Sequence, residues 1–330
     1  MKAVYIKEFG GAENLEIREV EDLPRPQETQ VLVRVKASAL NRADLLQRRG
    51  FYPAPEGFPQ KIPGLEFAGE VAETGAAVSR FKTGDRVFGI TAGGAQAEFL
   101  LSDESLLVKI PENLSFTQAA AVPEAFITAH DAVFTQANLL NDETLLIHAV
   151  ASGVGLAALQ IAKAKNIRTF GTSRTAEKLE KCREFGLDEA IAVSEKTNFA
   201  EIIREKNNGK GVDVILDLVG AAYFQRNLES LNLKGRLMLV GLTAGAKAEF
   251  NLGIALSKRL KIIGTVLRPR PTEEKAEATR RFAEEVVPLL ASGKIKPNID
   301  KIYKAEEIRL AHEYLESNAS FGKVVLDFEI

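Results

Sequence analysis

The sequence predicts an α/β fold in which a doubly wound parallel sheet is joined to a β-rich, barrel-like domain. Three observations predict it. A short apolar run at residues 145–147 leads through small residues into Ser152, Gly153, Val154 and Gly155, and then into a helix-forming stretch. Strands alternate with helices from about Pro123 to Thr265, the pattern of parallel strands joined by crossover helices. Before Pro123, short alternating strands follow one another between Gly and Pro turns, as they do in a barrel.

Taken in order, Ala3, Tyr5, Leu15, Ile17 and Val20 suggest an opening hairpin. Val31, Val33 and Val35 alternate with Leu32, Arg34 and Lys36, a half-buried strand. Residues 68–78, 86–90, 95–101 and 106–110 continue in kind. The alternating region predicts strands at 145–149, 168–172, 189–193, 212–217, 236–241 and 261–265, with helices such as 175–185 and 199–207 between them. A charged helix at 272–291, a segment at 299–303, a helix at 305–317 and a strand at 323–328 complete the chain. These last elements are too few for a core of their own, so they are expected to return to the first block. The expected division is 1–123, 124–265 and 266–330.

Composition narrows the function. Lys and Arg number 43 against 45 Asp and Glu, with no polybasic block and no basic stripe interleaved with aromatics. That balance argues against a nucleic-acid or membrane-surface role. Cys182 is the one cysteine, so neither an intrachain disulfide nor a cysteine-built metal cluster is available. Residues 1–7 are charged and strand-like, and no apolar run has the length of a membrane span. The expectation is a cytoplasmic protein.

The stretch around Gly155 is the natural place for a phosphate. A glycine turn that feeds a helix lets backbone approach a pyrophosphate, and the free N–H groups at the helix start hold its charge. Of the G-x-G-x-x-G pattern only Gly155 is in place, because Val150 and Ser152 occupy the first two glycine positions. The same glycines would also serve close packing of a helix on a strand. In the NAD-binding version an acidic residue about twenty positions on binds the ribose hydroxyls. Here that place is occupied by Gly171, Thr172, Ser173 and Arg174. With no carboxylate to repel a 2′-phosphate, Ser173, Arg174 and Lys178 favour NADPH; in isolation Arg174 and Lys178 read as a solvated helix start.

The order of these blocks resembles the medium-chain dehydrogenase/reductase superfamily over essentially the whole chain. Within it the sequence is similar to the zinc-free quinone oxidoreductases related to zeta-crystallin, most of all the tumour-suppressor-inducible branch. The resemblance is carried by ALNRADLLQRRG (39–50), IPGLEFAGEV (62–71), AAAVPEAFITA (119–129), LIHAVASGVG (146–155) and FGKVVL (321–326). It implies a Rossmann sheet plus a GroES-like barrel domain. Zinc relatives carry a cysteine where this chain has Asn41, and a Gly-His-Glu motif where it has Leu65 before Glu66. Catalytic zinc takes about three protein ligands, so no metal is expected.

The resemblance implies that Asn41 and Asp44 lie at the substrate end of the cleft beside the nicotinamide, with Tyr52 in the following loop. Asn41 and Tyr52 can donate to a substrate oxygen; equally, Asn41 can cap a helix beginning near Ala43, Asp44 can be its first-turn acid, and Tyr52 can wall a loop. Thr128, Gly241, Leu242, Leu267, Gly322 and Lys323 match family contacts to the cofactor. Related enzymes often stack a tyrosine on the adenine after the third strand, where this chain has Val193, Ser194 and Glu195. His148, inside the first Rossmann strand, reads as a core histidine. The implied activity is NADPH-dependent, metal-free hydride transfer to a small-molecule quinone. The alternatives are reduction of an enone C=C bond, or a nucleotide-binding protein with a structural or RNA-related role. The stretch 235–265 resembles the region through which family members form homodimers.

Overall fold

The computed structural model describes residues 1–328. It divides into two compact units, one of Met1–Ile127 with the described residues from Leu267 onward, the other of Thr128–Val266. The first unit is built on the strand Gln30–Ala39. Its Val31, Val33, Val35, Ala37 and Ala39 are buried, and β-branched residues at alternate positions suit a pleated, half-buried surface.

That strand is ten residues long and pairs along its whole length. Glu66–Thr74 lies antiparallel on one side. On the other side Phe99–Asp103 pairs with its first half and Lys323–Asp327 with its last residues, Val325 opposite Ala39. Arg86–Ile90 and Leu107–Lys109 extend the sheet beyond Glu66–Thr74, and Ile299–Lys304 extends it beyond Lys323–Asp327. The tail is thus part of the same sheet as the N-terminal strands. Register brings the end of Gln30–Ala39, the start of Glu66–Thr74 and the start of Lys323–Asp327 to one end of the sheet, where the reactive side chains collect.

The second unit is a six-stranded, all-parallel sheet among the described residues. Its order is Glu189–Ala192, Arg168–Ser173, Thr144–Ile147, Val212–Asp217, Leu231–Leu239 and Lys261–Gly264. In order of appearance that is 3-2-1-4-5-6, the doubly wound arrangement whose direction reverses between its first and fourth strands. Leu146, Phe170, Ile215 and Leu237 from four neighbouring strands share one core with Phe199, Ile203 and Leu228 from the covering helices.

Several expected elements shift. The helix expected at 272–291 is two, Thr272–Glu285 and Val287–Ala291, because the Pro288 ring cannot follow four residues of unbroken helix. The strand expected at 95–101 is Phe99–Asp103, and before it only Ala97 makes a single bridge, to Ala3. The strand expected at 236–241 starts earlier, as Leu231–Leu239. Pro123–His130 continues into a π-helical segment, Asp131–Gln136. The predicted fold class, a doubly wound sheet with a β-rich domain, is the one observed.

Candidate active site

In the parallel unit, strand Thr144–Ile147 ends in a turn that feeds helix Gly153–Ala164. Ser152 is its N-cap, and its Oγ accepts from the Gly155 N–H at 3.1 Å. The N–H groups of Gly153 and Val154 have no protein acceptor among the described residues. They make an anion site of the kind a helix N-terminus provides. A Cβ on Gly155 would lie 2.6 Å from the Ala149 carbonyl oxygen, so only glycine fits. Val150, standing where a first glycine was expected, is accommodated across the sheet: a Cβ on Gly171 would meet its Cγ1 at 2.9 Å. The left-handed residue of this turn is Ala149, with φ 48°.

Ser173 ends the second strand of this unit and accepts from the Thr175 N–H at 3.1 Å. Arg174 follows it, exposed and without an ion-pair partner among the described residues, and Lys178 lies one turn into helix Ala176–Glu184. No carboxylate stands between Ser173 and Thr175. Gly241 follows the fifth strand, its N–H on the Asp217 carbonyl at 3.1 Å, and the Leu242 side chain beside it is exposed. Thr128 is half-buried.

Between these loops runs a buried polar chain. Asp217 Oδ1 accepts from the Val219 and Gly220 N–H groups, and its Oδ2 accepts from Asn227 Nδ2 at 2.9 Å. With its nitrogen so committed, Asn227 presents Oδ1 to His148 Nε2 at 2.7 Å. His148 therefore carries its proton on Nε2, and Nδ1 accepts from the Thr172 hydroxyl at 2.8 Å. Burial lowers the His148 pKa, opposed by the Asp217 charge and the Asn227 hydrogen bond. The residue is a structural link, as expected. Cys182 is buried too, its thiol pushed up to about 12 by burial.

In the other unit the residues form a single ionic cluster. Lys323 is buried, and its three ammonium donors go to Leu40 O at 2.9 Å, Asn41 Oδ1 at 2.7 Å and Glu66 Oε1 at 2.6 Å. Glu66 is fully buried and saturated as well. Its Oε1 also accepts from Asn41 Nδ2 at 2.9 Å, and its Oε2 from the Glu124 N–H at 2.9 Å. Asn41 spends its amide on Glu66 and on Ala39 O at 3.3 Å. Two expectations change here. Asn41 keeps no uncommitted amide hydrogen for a substrate, and Lys323 has no donor left for a nucleotide, because both complete the coordination of Glu66.

Asn41 is the N-cap of helix Arg42–Arg48. Asp44 reaches back to the Asn41 N–H at 2.7 Å, and its other oxygen accepts from Gly64 N–H at 2.9 Å. Burial raises the Asp44 carboxyl to about 6, against those two hydrogen bonds and the charges of Arg268 and Lys323. Tyr52 is half-buried, and its hydroxyl makes no hydrogen bond among the described residues. Burial raises its pKa, with Arg268 acting to lower it. Leu267 is buried beside Arg268 in sequence.

Sequence reasoning missed Arg268 and Glu124, and left Glu66 without a role. Arg268 is buried and donates to Ala92 O at 2.7 Å, Tyr52 O at 2.9 Å and Gln47 Oε1 at 2.5 Å, with its guanidinium 4.9 Å from the Tyr52 ring centroid. It ties helix Arg42–Arg48 to the Tyr52 loop. No motif announces an arginine that binds carbonyls far away in sequence. Glu124 had a weak signal, an acid just after Pro123 at a helix start.

Residues 27–112 match the family model of the alcohol dehydrogenase GroES-like domain, and residues 153–284 that of the zinc-binding dehydrogenases. The chain is 34% identical to the quinone oxidoreductase of Rattus norvegicus, over 99% of this chain and 97% of the relative. The chain belongs to the quinone oxidoreductases of the medium-chain dehydrogenase/reductase superfamily. It is an oxidoreductase. The solved Escherichia coli quinone oxidoreductase complexed with NADPH superposes with a TM-score of 0.88 at 32% identity, covering 99% of this chain and 100% of that one. The JamJ enoyl reductase superposes at 0.87 with 27% identity, covering 99% and 98%.

Arg268→Met keeps the bulk of the side chain but strips hydrogen bonds from two carbonyls and the Gln47 amide. Buried acceptors left unpaired cost about 1–3 kcal/mol each. We expect a loss of about 3 kcal/mol or more in chemical denaturation, with Tyr52 fluorescence reporting greater solvent access in the native state.

Proposed function

We propose that the chain is an NADPH-dependent reductase of quinones that works without a metal. The observation that carries the metal-free reading is the Lys323 ammonium on Glu66 Oε1 at 2.6 Å. A cation of the protein's own already saturates the carboxylate that zinc relatives have in their ligand motif, and Asn41 and Leu65 offer nothing to complete a zinc shell. The name and bound nucleotide of the Escherichia coli relative support the quinone and NADPH parts of the reading.

The residues present fit the nucleotide. Gly153, Val154 and Gly155, capped by Ser152, would hold the pyrophosphate, and Ser173, Arg174 and Lys178 the 2′-phosphate. Thr128, Gly241, Leu242 and Leu267 would line the nicotinamide portion by family likeness. When bound, the nucleotide supplies a hydride. The protein's share is to orient the acceptor and stabilise charge on its oxygen. Tyr52, whose hydroxyl is uncommitted, is the donor to that oxygen. Asn41 and Asp44 position this part of the site, Asn41 through Glu66 and Asp44 through the start of its own helix. A quinone suits such a site because it is already electrophilic. The likeness to an enoyl reductase favours enones as a second acceptor class.

We further propose a homodimer in the cytoplasm. No helix among the described residues is long and apolar enough to cross a membrane. The edge strand Lys261–Gly264 pairs on one side only. Close in sequence, helix Leu252–Lys258 exposes Leu252 and Leu256, at 71% and 80%, one turn apart on one face. An open strand edge beside exposed leucines is a pairing surface.

Oxidation of NADPH and of NADH with ortho- and para-quinones and short enones, with and without a chelator, tests the activity. Chelator-insensitive quinone turnover with NADPH is expected; binding without turnover of any acceptor would overturn the assignment. Arg174→Ala should weaken NADPH about 10–100-fold, the equivalent of one charge-assisted hydrogen bond, with NADH affinity nearly unchanged. Leu256→Glu should convert a dimer into a monomer in sedimentation velocity, and a parental chain already monomeric would refute the dimer.

A further inference from the structure

We propose that Glu124 is the proton donor of the reaction, delivering its carboxyl proton to the oxygen that becomes anionic when the acceptor is reduced. The inference rests on the reductase reading above.

The cluster holds three carboxyl groups, those of Asp44, Glu66 and Glu124, and their hydrogen bonds separate them. Both oxygens of Asp44 are taken by the Asn41 and Gly64 N–H groups. Both oxygens of Glu66 are taken, by Lys323 and Asn41 on one and the Glu124 N–H on the other. On both residues every oxygen is therefore occupied as an acceptor. Glu124 alone has neither oxygen committed to a donor among the described residues, and the residue is half-buried.

Its backbone is fixed while its carboxyl is not. The Glu124 N–H is anchored on Glu66 Oε2 at 2.9 Å, which brings the residue beside a fully buried acid paired with Lys323. From the surrounding elements it is faced by Glu66 and Asp44, by Tyr52, and by the cations Lys323, Arg268 and Lys275. Lys323 and Arg268 spend their donors on other groups, and Lys275 donates to Arg268 O at 3.3 Å. Burial first and the Glu66 charge second raise the carboxyl to about 8, against the pull of Lys323 and Arg268. Glu124 is therefore protonated at neutral pH, with a pKa close to the working range, as a general acid requires.

The balance is simple. A quinone becomes a hydroquinone by gaining one hydride, which carries two electrons, and one proton. The hydride is the nucleotide's share. The O–H bond of Glu124 breaks, its hydrogen forms the new O–H bond of the product, and the carboxylate left behind takes a proton from water before the next cycle.

The test compares the parental chain with Glu124→Gln and Glu124→Asp. With NADPH and a quinone, parental kcat/KM should fall as pH rises through about 8. E124Q should be slower at pH 7 by about a hundredfold, in the range general acids contribute, and should lose that pH limb. E124D should restore the limb at a lower rate. Independently of turnover, the infrared difference spectrum of the free protein between pH 6 and pH 9.5 should show a protonated carboxyl band titrating near 8, and E124Q should lack it. NADPH binding, followed by fluorescence, should be the same in all three. An E124Q variant with parental rate and pH profile, or an unchanged infrared band, overturns the donor role alone. A parental protein that turns over no acceptor overturns the reductase reading, and the donor role with it.

Discussion

The buried pair of Glu66 and Lys323 is the constraint on which one end of the mixed sheet in the first unit depends. An ion pair taken out of water repays its desolvation only when its remaining donors and acceptors are also satisfied. Here they are. Lys323 uses three donors on Leu40, Asn41 and Glu66, and Glu66 receives three hydrogen bonds. Those partners lie on the end of one strand, the start of a second, the start of a third and the start of a helix. The pair therefore fixes the ends of four elements, and with them Asn41 and Glu124.

The parallel unit solves a similar problem without charge pairing. Its loops are held by a chain of polar groups, from Thr172 through His148 and Asn227 to Asp217, that spans three neighbouring strands and a covering helix. Every link is a donor facing an acceptor, so the chain has one consistent arrangement of protons. It fixes the carboxyl ends of those strands, where a doubly wound sheet places its ligand. Ser152, Gly155 and Gly241 stand on the loops so held.

The fold was legible because its signals are local. Strand–helix alternation and the alternating valines of residues 31–35 needed no partner to be read, and the Arg86–Ile90 and Val212–Asp217 strands were placed to the residue. The residues proposed for the nucleotide rest on equally local signals, since Ser152, Gly155 and Arg174 sit in contiguous motifs. The cluster around Glu66 was legible only in its individual residues. Lys323 lies 257 positions from Glu66, and periodicity cannot reveal which distant cation meets a buried acid. Asn41 therefore reads equally as a substrate donor or a helix cap and Lys323 as a cofactor contact, whereas in the structure Asn41 is the cap and both side chains meet Glu66. Arg268 escaped notice because its partners are mostly backbone carbonyls, which carry no sequence identity. The incomplete glycine pattern could not show that Val150 packs against Gly171, where a Cβ would meet its Cγ1 at 2.9 Å.

A double-mutant cycle on Glu66 and Lys323 tests the organising role of the pair most directly. Removing one partner of a buried ion pair costs about 3–5 kcal/mol, whereas replacing both with neutral groups is often close to neutral. The account predicts that Glu66→Gln and Lys323→Met each destabilise the protein by that order in chemical denaturation, and that the double variant recovers most of the loss. Costs that simply add in the double variant would show that the two side chains do not act as a unit, and would contradict it.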